Sequence, residues 1–307
     1  MKHFIDLNQI EASELHKIVA LAKKIKTKSY QETKNLLEGK NLAMIFEKPS
    51  TRTRVSFEVA INQLGGNAIV MNAGDMQLGK GETIADTARV LSRFVDAVMI
   101  RCNEHSKLLE MSENSSKPVI NALTDFSHPC QIMASILTIE EHLGDISGKT
   151  LTWFGDANNV LNSYIHSAVA FNYTLNIAIP SQLDFCNEEI ALARKNGARI
   201  NVFENAKSAS KNADVLIADT WVSMGQGAEK DQEAKANKLK LLMPFQVNEE
   251  LMNLANPHAI FTHCLPAYRG YEVSAQVIDG EKSVVFDEAE NRLHIQKAIL
   301  LWLLEGN

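Results

Sequence analysis

The sequence has few of the features by which small secreted or metal-stabilised proteins hold together. Only 4 of its 307 residues are cysteine, and they form no CxxC pair. We therefore expect neither a disulfide framework nor a bound metal such as structural zinc. Most of these thiols are interpreted as small buried apolar groups, with Cys264 as the exception taken up below. The cysteines are Cys102, Cys130, Cys186 and Cys264.

Long apolar runs and an excess of positive charge are also missing. No stretch of about 18 uncharged apolar residues occurs, and the N-terminus enters a polar pattern without an apolar signal core. We therefore expect no membrane partner and predict a cytoplasmic location. The formal net charge of −6 argues against a broad phosphate-binding surface for nucleic acid. Any anion site must be local.

The chain does have enough apolar residues for folded domains. Hydrophobic residues make up 45% and charged residues 22%, which is ordinary for globular proteins, and no biased tract indicates disorder. A length of 307 residues favours two domains, each with its own core. A cleft between two domains is a natural place for a ligand, and we expect one here.

Short apolar or β-branched runs alternate with helical patterns in the first half of the chain. The runs at 41–47, 67–72, 96–101 and 117–122 predict strands. Between the first two, apolar side chains recur at i, i+3, i+4 and i+7 from Phe57, and two glycines then end the predicted helix. This βαβ succession predicts a parallel sheet with right-handed crossovers.

A second region of the same kind follows a turn containing glycine at 144–148. Its strands are predicted at 150–154, 174–179, 199–203, 215–219 and 259–263. We predict an α/β fold with two doubly wound parallel-sheet domains and a cleft between them. The expected segments are a first domain at 1–143, a second domain at 144–286, and a C-terminal helix at 287–307 that packs back on the first domain.

A cluster of donors follows the first predicted strand, and ligands of parallel sheets bind beyond the carboxyl ends of the strands. Ser50 or Thr51 can cap the next helix, where backbone N–H groups and the helix dipole favour an anion. Three hydroxyls and two guanidinium groups within the five residues 50–54 add donors that suit a phosphate. Taken alone, the segment also allows an ordinary cap followed by solvated arginines.

Further polar groups lie at the ends of the third and fourth predicted strands. Arg101 closes the third, and His128-Pro129-Cys130-Gln131 begins the helix after the fourth. His128 can donate to a carbonyl oxygen and Gln131 can accept from an amide, which suits a substrate with both groups beside a phosphate. A histidine before proline is otherwise a common structural cap.

The second region offers groups that suit an α-amino acid. Asp219 can pair with an α-ammonium group, and Ser223 can accept from it. Asn159 and a backbone N–H near Met224 can donate to an α-carboxylate. No cluster of arginines follows these strands to hold a second carboxylate. A turn with a capping aspartate is the alternative for this segment.

Ser-Thr-Arg-Thr-Arg after a strand, followed by His-Pro-x-Gln, resembles the aspartate and ornithine carbamoyltransferases, and the resemblance runs nearly end to end. It implies that carbamoyl phosphate binds to the first domain and that Arg101 and His128 polarise its carbonyl. The segment 75–83 resembles a loop that enters a neighbouring subunit's site, which implies a homotrimer with shared sites. The implied donor ligands are Ser50, Thr51, Arg52, Thr53, Gln77, Arg101, His128, Gln131 and Arg292.

Two further motifs resemble the ornithine-binding members of this family rather than the aspartate-binding ones. They are Asp-x-Trp-x-Ser-Met-Gly from Asp219 and His-Cys-Leu-Pro around Cys264. The resemblance implies carbamoyl transfer to the δ-amine of ornithine in arginine biosynthesis, without a cofactor, with Cys264 as proton acceptor or orienting group. The implied catalytic residues are Cys264, Arg101 and His128. The implied ornithine ligands are Asn159, Asp219, Ser223, Met224, Cys264 and Leu265.

Three other functions match parts of the pattern. A carbamoyltransferase for another amine, such as putrescine, would keep the donor site and need no group for an α-carboxylate. A nucleotide-binding dehydrogenase also has two α/β domains, but the segment 155–160 lacks GxGxxG spacing and no P-loop occurs. A non-catalytic binding protein would keep a cleft without turnover, although every proposed ligand position is filled.

Overall fold

Strands and helices alternate along the computed structural model, which describes residues 2–72, 74, 81–183, 187–222 and 232–305. The chain divides into two compact units, Met1–Leu137 with Glu290–Asn307, and Thr138–Ala289. The domain boundaries expected after residues 143 and 286 stay predictions, because a compact unit need not coincide with a functional domain. Within the described ranges, no helix is long and apolar enough to cross a membrane.

The first unit is built on a four-stranded sheet. Its strands are β1 Asn41–Phe46, β2 Asn67–Asn72, β3 Ala97–Arg101 and β4 Val119–Leu123. All are parallel and lie in the order β2-β1-β3-β4. The accompanying helices are α1 Ala12–Lys26, α2 Tyr30–Thr33, α3 Thr51–Gln63, α4 Ile84–Leu91, α5 His105–Asn114 and α6 Pro129–Leu143. β1, β3 and β4 are apolar and buried almost throughout, as parallel strands covered on both faces must be.

The second unit contains a five-stranded parallel sheet. Its strands are β5 Thr150–Phe154, β6 Thr174–Ala178, β7 Arg199–Phe203, β8 Val215–Ala218 and β9 Ile260–His263. They lie in the order β7-β6-β5-β8-β9. Its helices are α7 Asn159–Phe171, α8 Asn187–Lys195, α9 Ala206–Ser210, α10 Gln232–Leu242, α11 Glu249–Leu254 and α12 Ala275–Ile278. Two helices belong to both units: α6 passes from the first to the second after Leu137, and α13 Val285–Leu304 passes from the second to the first after Ala289.

The predicted α/β fold is confirmed, since both sheets are parallel and interleaved with helices. All nine predicted strands are present, and no strand end differs from its prediction by more than two residues. In each sheet the strand order reverses once, between β1 and β3 and between β5 and β8. The loops after such strands diverge and leave space for a ligand. Each unit therefore has a natural binding position at the carboxyl ends of these two strands.

The N-terminal segment extends the first sheet beyond β4. Phe4 forms a parallel bridge with Ile120, its N–H donates to the Val119 carbonyl at 2.8 Å, and its carbonyl accepts from the Asn121 N–H at 2.8 Å. Phe4 is fully buried, so ladder hydrogen bonds and apolar packing both hold the segment. Because the pairing is parallel, the next residues lead to Asp6 near the carboxyl end of β4.

Gly155 directly follows β5, at a position that strongly favours glycine. Its φ is +107°, and a Cβ added there would lie 2.1 Å from Nε1 of Trp221. Trp221 follows β8 and is 1% exposed, so its indole occupies the space that a side chain at residue 155 would need. The loops after β5 and β8 therefore approach each other closely because residue 155 has no side chain.

We predict that Gly155→Ala is more destabilising than Gly270→Ala in the same unit. Gly270 also has a positive φ, +89°, but an added Cβ there meets no atom within 4 Å, so this control carries the backbone strain alone. The overlap with Trp221 should cost Gly155→Ala about 1–3 kcal/mol more in the free energy of unfolding. Urea unfolding measures both, and equal losses would mean that Trp221 moves aside without cost.

Candidate active site

Ser50 begins the first candidate site, at the carboxyl end of β1. It is the N-cap of α3, and its side chain accepts a hydrogen bond from the Thr53 N–H at 3.4 Å. The first turn of α3, which is fully described, contains no acidic residue, so its N–H groups and dipole favour an anion. A pocket of about 430 Å³ opens at Ser50 and Thr51, and Glu47 and Arg54 also line it.

Two guanidinium groups converge on the Thr53 hydroxyl. Arg101, the last residue of β3, donates through Nη1 at 3.3 Å, and Arg292 on α13 donates through Nη2 at 2.8 Å. Thr53 is fully buried and Arg292 is 3% exposed. Positive charges held this close inside a protein repel each other, and a phosphate relieves the repulsion by accepting several charge-assisted hydrogen bonds. The convergence therefore favours a phosphate ligand.

His128 lies at the start of α6 in the same unit. Its carbonyl accepts from the Gln131 N–H at 3.1 Å, and both side chains are almost fully buried. Burial and three guanidinium groups hold the pKa of His128 well below its usual value. In order of effect, those groups belong to Arg292, Arg101 and Arg52. A neutral imidazole can donate to a carbonyl oxygen without adding to the local positive charge.

Asp219 is the centre of the candidate site in the second unit. Its Oδ1 accepts from the Cys264 thiol at 2.8 Å and from the Thr220 N–H at 2.7 Å, and its Oδ2 accepts from Nδ2 of Asn158 at 2.7 Å. These residues follow β8, β9 and β5, which are neighbours in the sheet. Three donors hold this carboxylate in one orientation, which suits pairing with an ammonium group.

The segment around Cys264 is held by a buried histidine, which the sequence analysis named only as the first residue of the His-Cys-Leu-Pro motif and gave no role. Nδ1 of His263 accepts from the Leu265 N–H at 2.8 Å, and its backbone N–H donates to Glu288 at 3.0 Å. The ring proton therefore lies on Nε2, which faces Oε1 of Glu272 at 3.4 Å with both side chains fully buried. No periodic pattern in the sequence links His263 with Glu272, so only the folded chain reveals the pair.

Two more residues of the second unit were missed. Asn158 donates to Asp219, and it also caps α7 by accepting from two backbone N–H groups. Lys238 on α10 forms an ion pair with Asp156 at 2.5 Å. Burial raises the pKa of Asp156, and the bond to Lys238 opposes that rise. The sequence signal was present for Asn158, since an asparagine before a helix is a strong N-cap.

The thiols fall into two classes. Cys102 and Cys130 are buried, as expected, and burial raises the pKa of both to about 12. Cys264 differs because its thiol faces a carboxylate. A carboxylate oxygen of Asp219, a ring nitrogen of His263 and Sγ of Cys264 lie within 4.8 Å of one another, but Nδ1 of His263 already accepts a hydrogen bond from the Leu265 N–H. The expectation of a metal-free site stays a prediction.

The structure thus separates the predicted residues into groups. Thr53, Arg101 and Arg292 share hydrogen bonds, and Asp219 and Cys264 share another. Their ligand roles, and those of the other predicted residues that are described, stay predictions. Four residues named from the sequence lie outside the described residues: Gln77, Cys186, Ser223 and Met224.

Comparison with known proteins supplies the family. The model described as the aspartate/ornithine carbamoyltransferase carbamoyl-P binding domain matches residues 2–141, and the model described as the Asp/Orn binding domain matches residues 147–303. The chain belongs to this family. Arg292 lies within the match to the second family model, yet the structure groups it with the first unit and bonds it to Thr53.

Named relatives in the family cover the whole chain. An ornithine carbamoyltransferase of Rhodopseudomonas palustris is 54% identical over 305 residues, which are 99% of this chain and 96% of that protein. The structure of ornithine carbamoyltransferase from Pyrococcus furiosus has a TM-score of 0.92 at 44% identity, covering 100% of this chain and 98% of the other. That from Burkholderia thailandensis E264 has a TM-score of 0.90 at 41% identity, covering 100% and 99%.

We predict that His128 stays neutral near pH 6.5, where an ordinary histidine titrates. Since the unfolded chain binds a proton at this residue as the pH falls and the folded chain does not, His128 lowers the free energy of unfolding in acid. Imidazole ¹⁵N NMR from about pH 8 to 5.5 measures its protonation, with the signal identified by its absence in His128→Gln. A protonation midpoint at or above pH 6.5 would contradict this prediction.

Proposed function

We propose that the protein transfers the carbamoyl group of carbamoyl phosphate to the δ-amine of L-ornithine, giving L-citrulline and phosphate. The convergence of Arg101 and Arg292 on Thr53, beside a neutral His128, is the observation that carries the donor half. The acceptor half is supported by the full-length relatives, which are ornithine carbamoyltransferases. A carbamoyltransferase for putrescine is the alternative.

The donor site acts on charge that develops during the reaction. We assign the phosphate to the N-terminus of α3, to the hydroxyls of Ser50, Thr51 and Thr53, and to three arginines, Arg52, Arg101 and Arg292. His128 donates to the carbonyl oxygen, and the Gln131 side chain accepts from the carbamoyl amide. Preorganised donors of this kind are commonly worth about 3 kcal/mol each in transition-state stabilisation.

The acceptor site recognises an α-amino acid. Asp219 pairs with the α-ammonium group, and Ser223 accepts from the same group. Asn159 and the backbone N–H near Met224 donate to the α-carboxylate. None of the described hydrogen-bond partners of Asp219 is an arginine, which supports an acceptor without the second carboxylate of aspartate.

The reaction needs a neutral amine, because an alkyl ammonium with a pKa of about 10 has no lone pair for attack. The nitrogen attacks the carbonyl carbon, a C–N bond forms, and the C–O bond to phosphate breaks. The Cys264 thiol already directs its proton to Asp219, so we assign it to orienting the amine together with the Leu265 carbonyl. The ammonium group loses one proton to water before attack, the departing phosphate takes the second proton lost after attack, and no cofactor is needed.

The proposal includes a cytoplasmic homotrimer in arginine biosynthesis. The resemblance of 75–83 to a loop shared between subunits supports the trimer, with Gln77 entering a neighbouring site. Free thiols at Cys102, Cys130 and Cys264 suit a reducing compartment.

We predict citrulline formation with ornithine, and a kcat/KM at least about 100-fold lower with putrescine or Nα-acetylornithine. Putrescine lacks the α-carboxylate and α-ammonium groups, and acetylation removes the charge that Asp219 is proposed to pair with. Aspartate should give no product. Offering the four amines in parallel with carbamoyl phosphate decides the acceptor, and putrescine turnover equal to that of ornithine would replace the proposed substrate.

We predict that Arg101→Ala lowers kcat/KM by roughly two decades or more, because it removes a donor from the phosphate site. The matched control is Arg89→Ala on α4, where the guanidinium is exposed and bonded to Asp86 and Asn114, and its kinetics should match the wild type. Equal kinetics for Arg101→Ala and the wild type would remove Arg101 from the mechanism.

The same variant also tests the shared site. In trimers assembled from equal amounts of Arg101→Ala and Gln77→Ala chains, about a quarter of the sites should combine two intact residues and recover activity. No recovery in oligomers proven to be mixed would refute the sharing without affecting the reaction itself.

A further inference from the structure

Asp6 is a buried carboxylate that the proposed mechanism does not use. It is 2% exposed and comes from the N-terminal segment that pairs with β4. Its Oδ1 accepts a hydrogen bond from the Ser127 hydroxyl, and its Oδ2 faces Nε2 of His105 at 3.2 Å. A carboxylate is costly to bury unless both oxygens are satisfied, and here both face side chains from other parts of the unit.

The hydrogen bonds of Thr124 determine which nitrogen of His105 carries the proton. Thr124 Oγ1 accepts from the Phe126 N–H at 3.3 Å and the Ser127 N–H at 3.2 Å, and it lies 2.9 Å from Nδ1 of His105. With two N–H groups pointing at its oxygen, the threonine proton is directed to Nδ1. His105 therefore presents its Nε2 proton to Asp6.

Ser127 is equally constrained. It is fully buried, and its hydroxyl accepts from Nδ2 of Asn121 at 2.9 Å while donating to Asp6. The second proton of the same Asn121 amide goes to the Ile5 carbonyl at 3.1 Å. The N-terminal segment and the residues after β4 are thus joined by side chains as well as by backbone pairing.

The Ser, His and Asp side chains of this network do not form a nucleophilic triad. In a triad the serine proton passes to histidine, whereas the Ser127 proton is directed to Asp6. Ser127 and Thr124 are both fully buried, so neither hydroxyl can meet a substrate. The network must act through the backbone that it holds.

That backbone leads directly to His128. The turn 124–127 is closed by a hydrogen bond from the Thr124 N–H to the Ser127 carbonyl at 2.9 Å. The hydroxyl and backbone N–H groups of this turn make most of the hydrogen bonds described above. Ser127 precedes His128, whose carbonyl opens α6. The orientation of the imidazole therefore depends on the turn on one side and on the helix on the other.

We propose that Asp6 and His105 are positioning residues for carbamoyl transfer. They hold the turn 124–127 so that the His128 N–H points to the carbonyl oxygen of carbamoyl phosphate. The inference rests on the function proposed above, and adds two residues far from the family motifs in sequence. A displacement of about 1 Å in a catalytic group can lower the rate by about 10²-fold, so a small movement of this turn is enough to be measured.

The test compares Asp6→Asn with the wild type in the full-length protein. The amide keeps the shape of the carboxylate but places an N–H₂ group against the hydrogen bonds from Ser127 or His105. We expect kcat to fall by about tenfold or more and the KM for ornithine to change by less than about twofold, because the acceptor groups are untouched. A structural role alone would lower the melting temperature and leave kcat of the folded protein unchanged.

A second pair of variants tests the same idea at His105. His105→Gln can keep an N–H donor near Asp6, whereas His105→Leu cannot, so glutamine should retain most of kcat and leucine should lose it. This pair carries the test if Asp6→Asn does not fold. Equal kcat for the two variants would overturn the assignment of His105.

The matched control is Asp96→Asn. Asp96 precedes β3 in the same unit and accepts from Nζ of Lys40 at 3.2 Å and from the Asn41 N–H at 2.9 Å, at the amino end of the strands. It should lose stability without losing kcat. Wild-type kinetics for Asp6→Asn, or the same loss of kcat for Asp96→Asn, would overturn the inference. Failure of the wild type to form citrulline would instead reject the proposed function.

Discussion

Positive charge concentrated at the carboxyl ends of β1 and β3 is the constraint on which the first unit depends. Arg101 and Arg292 reach the same buried hydroxyl of Thr53, and Arg52 lies close enough to affect His128. Burial, and after it the charge of these guanidinium groups, holds the pKa of His128 well below its usual value, so the imidazole stays neutral. The same arrangement that requires an anion therefore also makes His128 a hydrogen-bond donor without charge.

The second unit has the opposite electrostatic character. Asp219 gathers a thiol, a backbone N–H and an amide from loops after three adjacent strands. Behind it, His263 and Glu272 hold the Cys264 segment without contacting solvent. One unit thus provides an environment for a phosphate and the other for an ammonium group, which are the charged groups of the two proposed substrates.

Both sites lie where parallel-sheet geometry favours them, because β1 and β3, like β5 and β8, flank the reversal of strand order in their sheets. Precision at these positions comes from groups outside the sites. Trp221 packs against Gly155, and Asp6 with His105 holds the turn before His128. A sequence pattern does not reveal such groups, because the residues that they contact are distant along the chain.

The sequence by itself determined the strands, the alternation that makes both sheets parallel, a helix cap at Ser50 or Thr51, and the motifs that led to the family. These depend on local periodicity and on residues adjacent along the chain, which a reader of the sequence sees directly. Only the tertiary structure decided that Arg292 joins Thr53 from α13, that Asn158 contacts Asp219, that His263 faces Glu272, and that Asp6 reaches Ser127. These contacts follow from strand pairing, from the path of the loop after β9, or from the return of the chain to an earlier unit, and none of the three leaves a periodic pattern in the sequence.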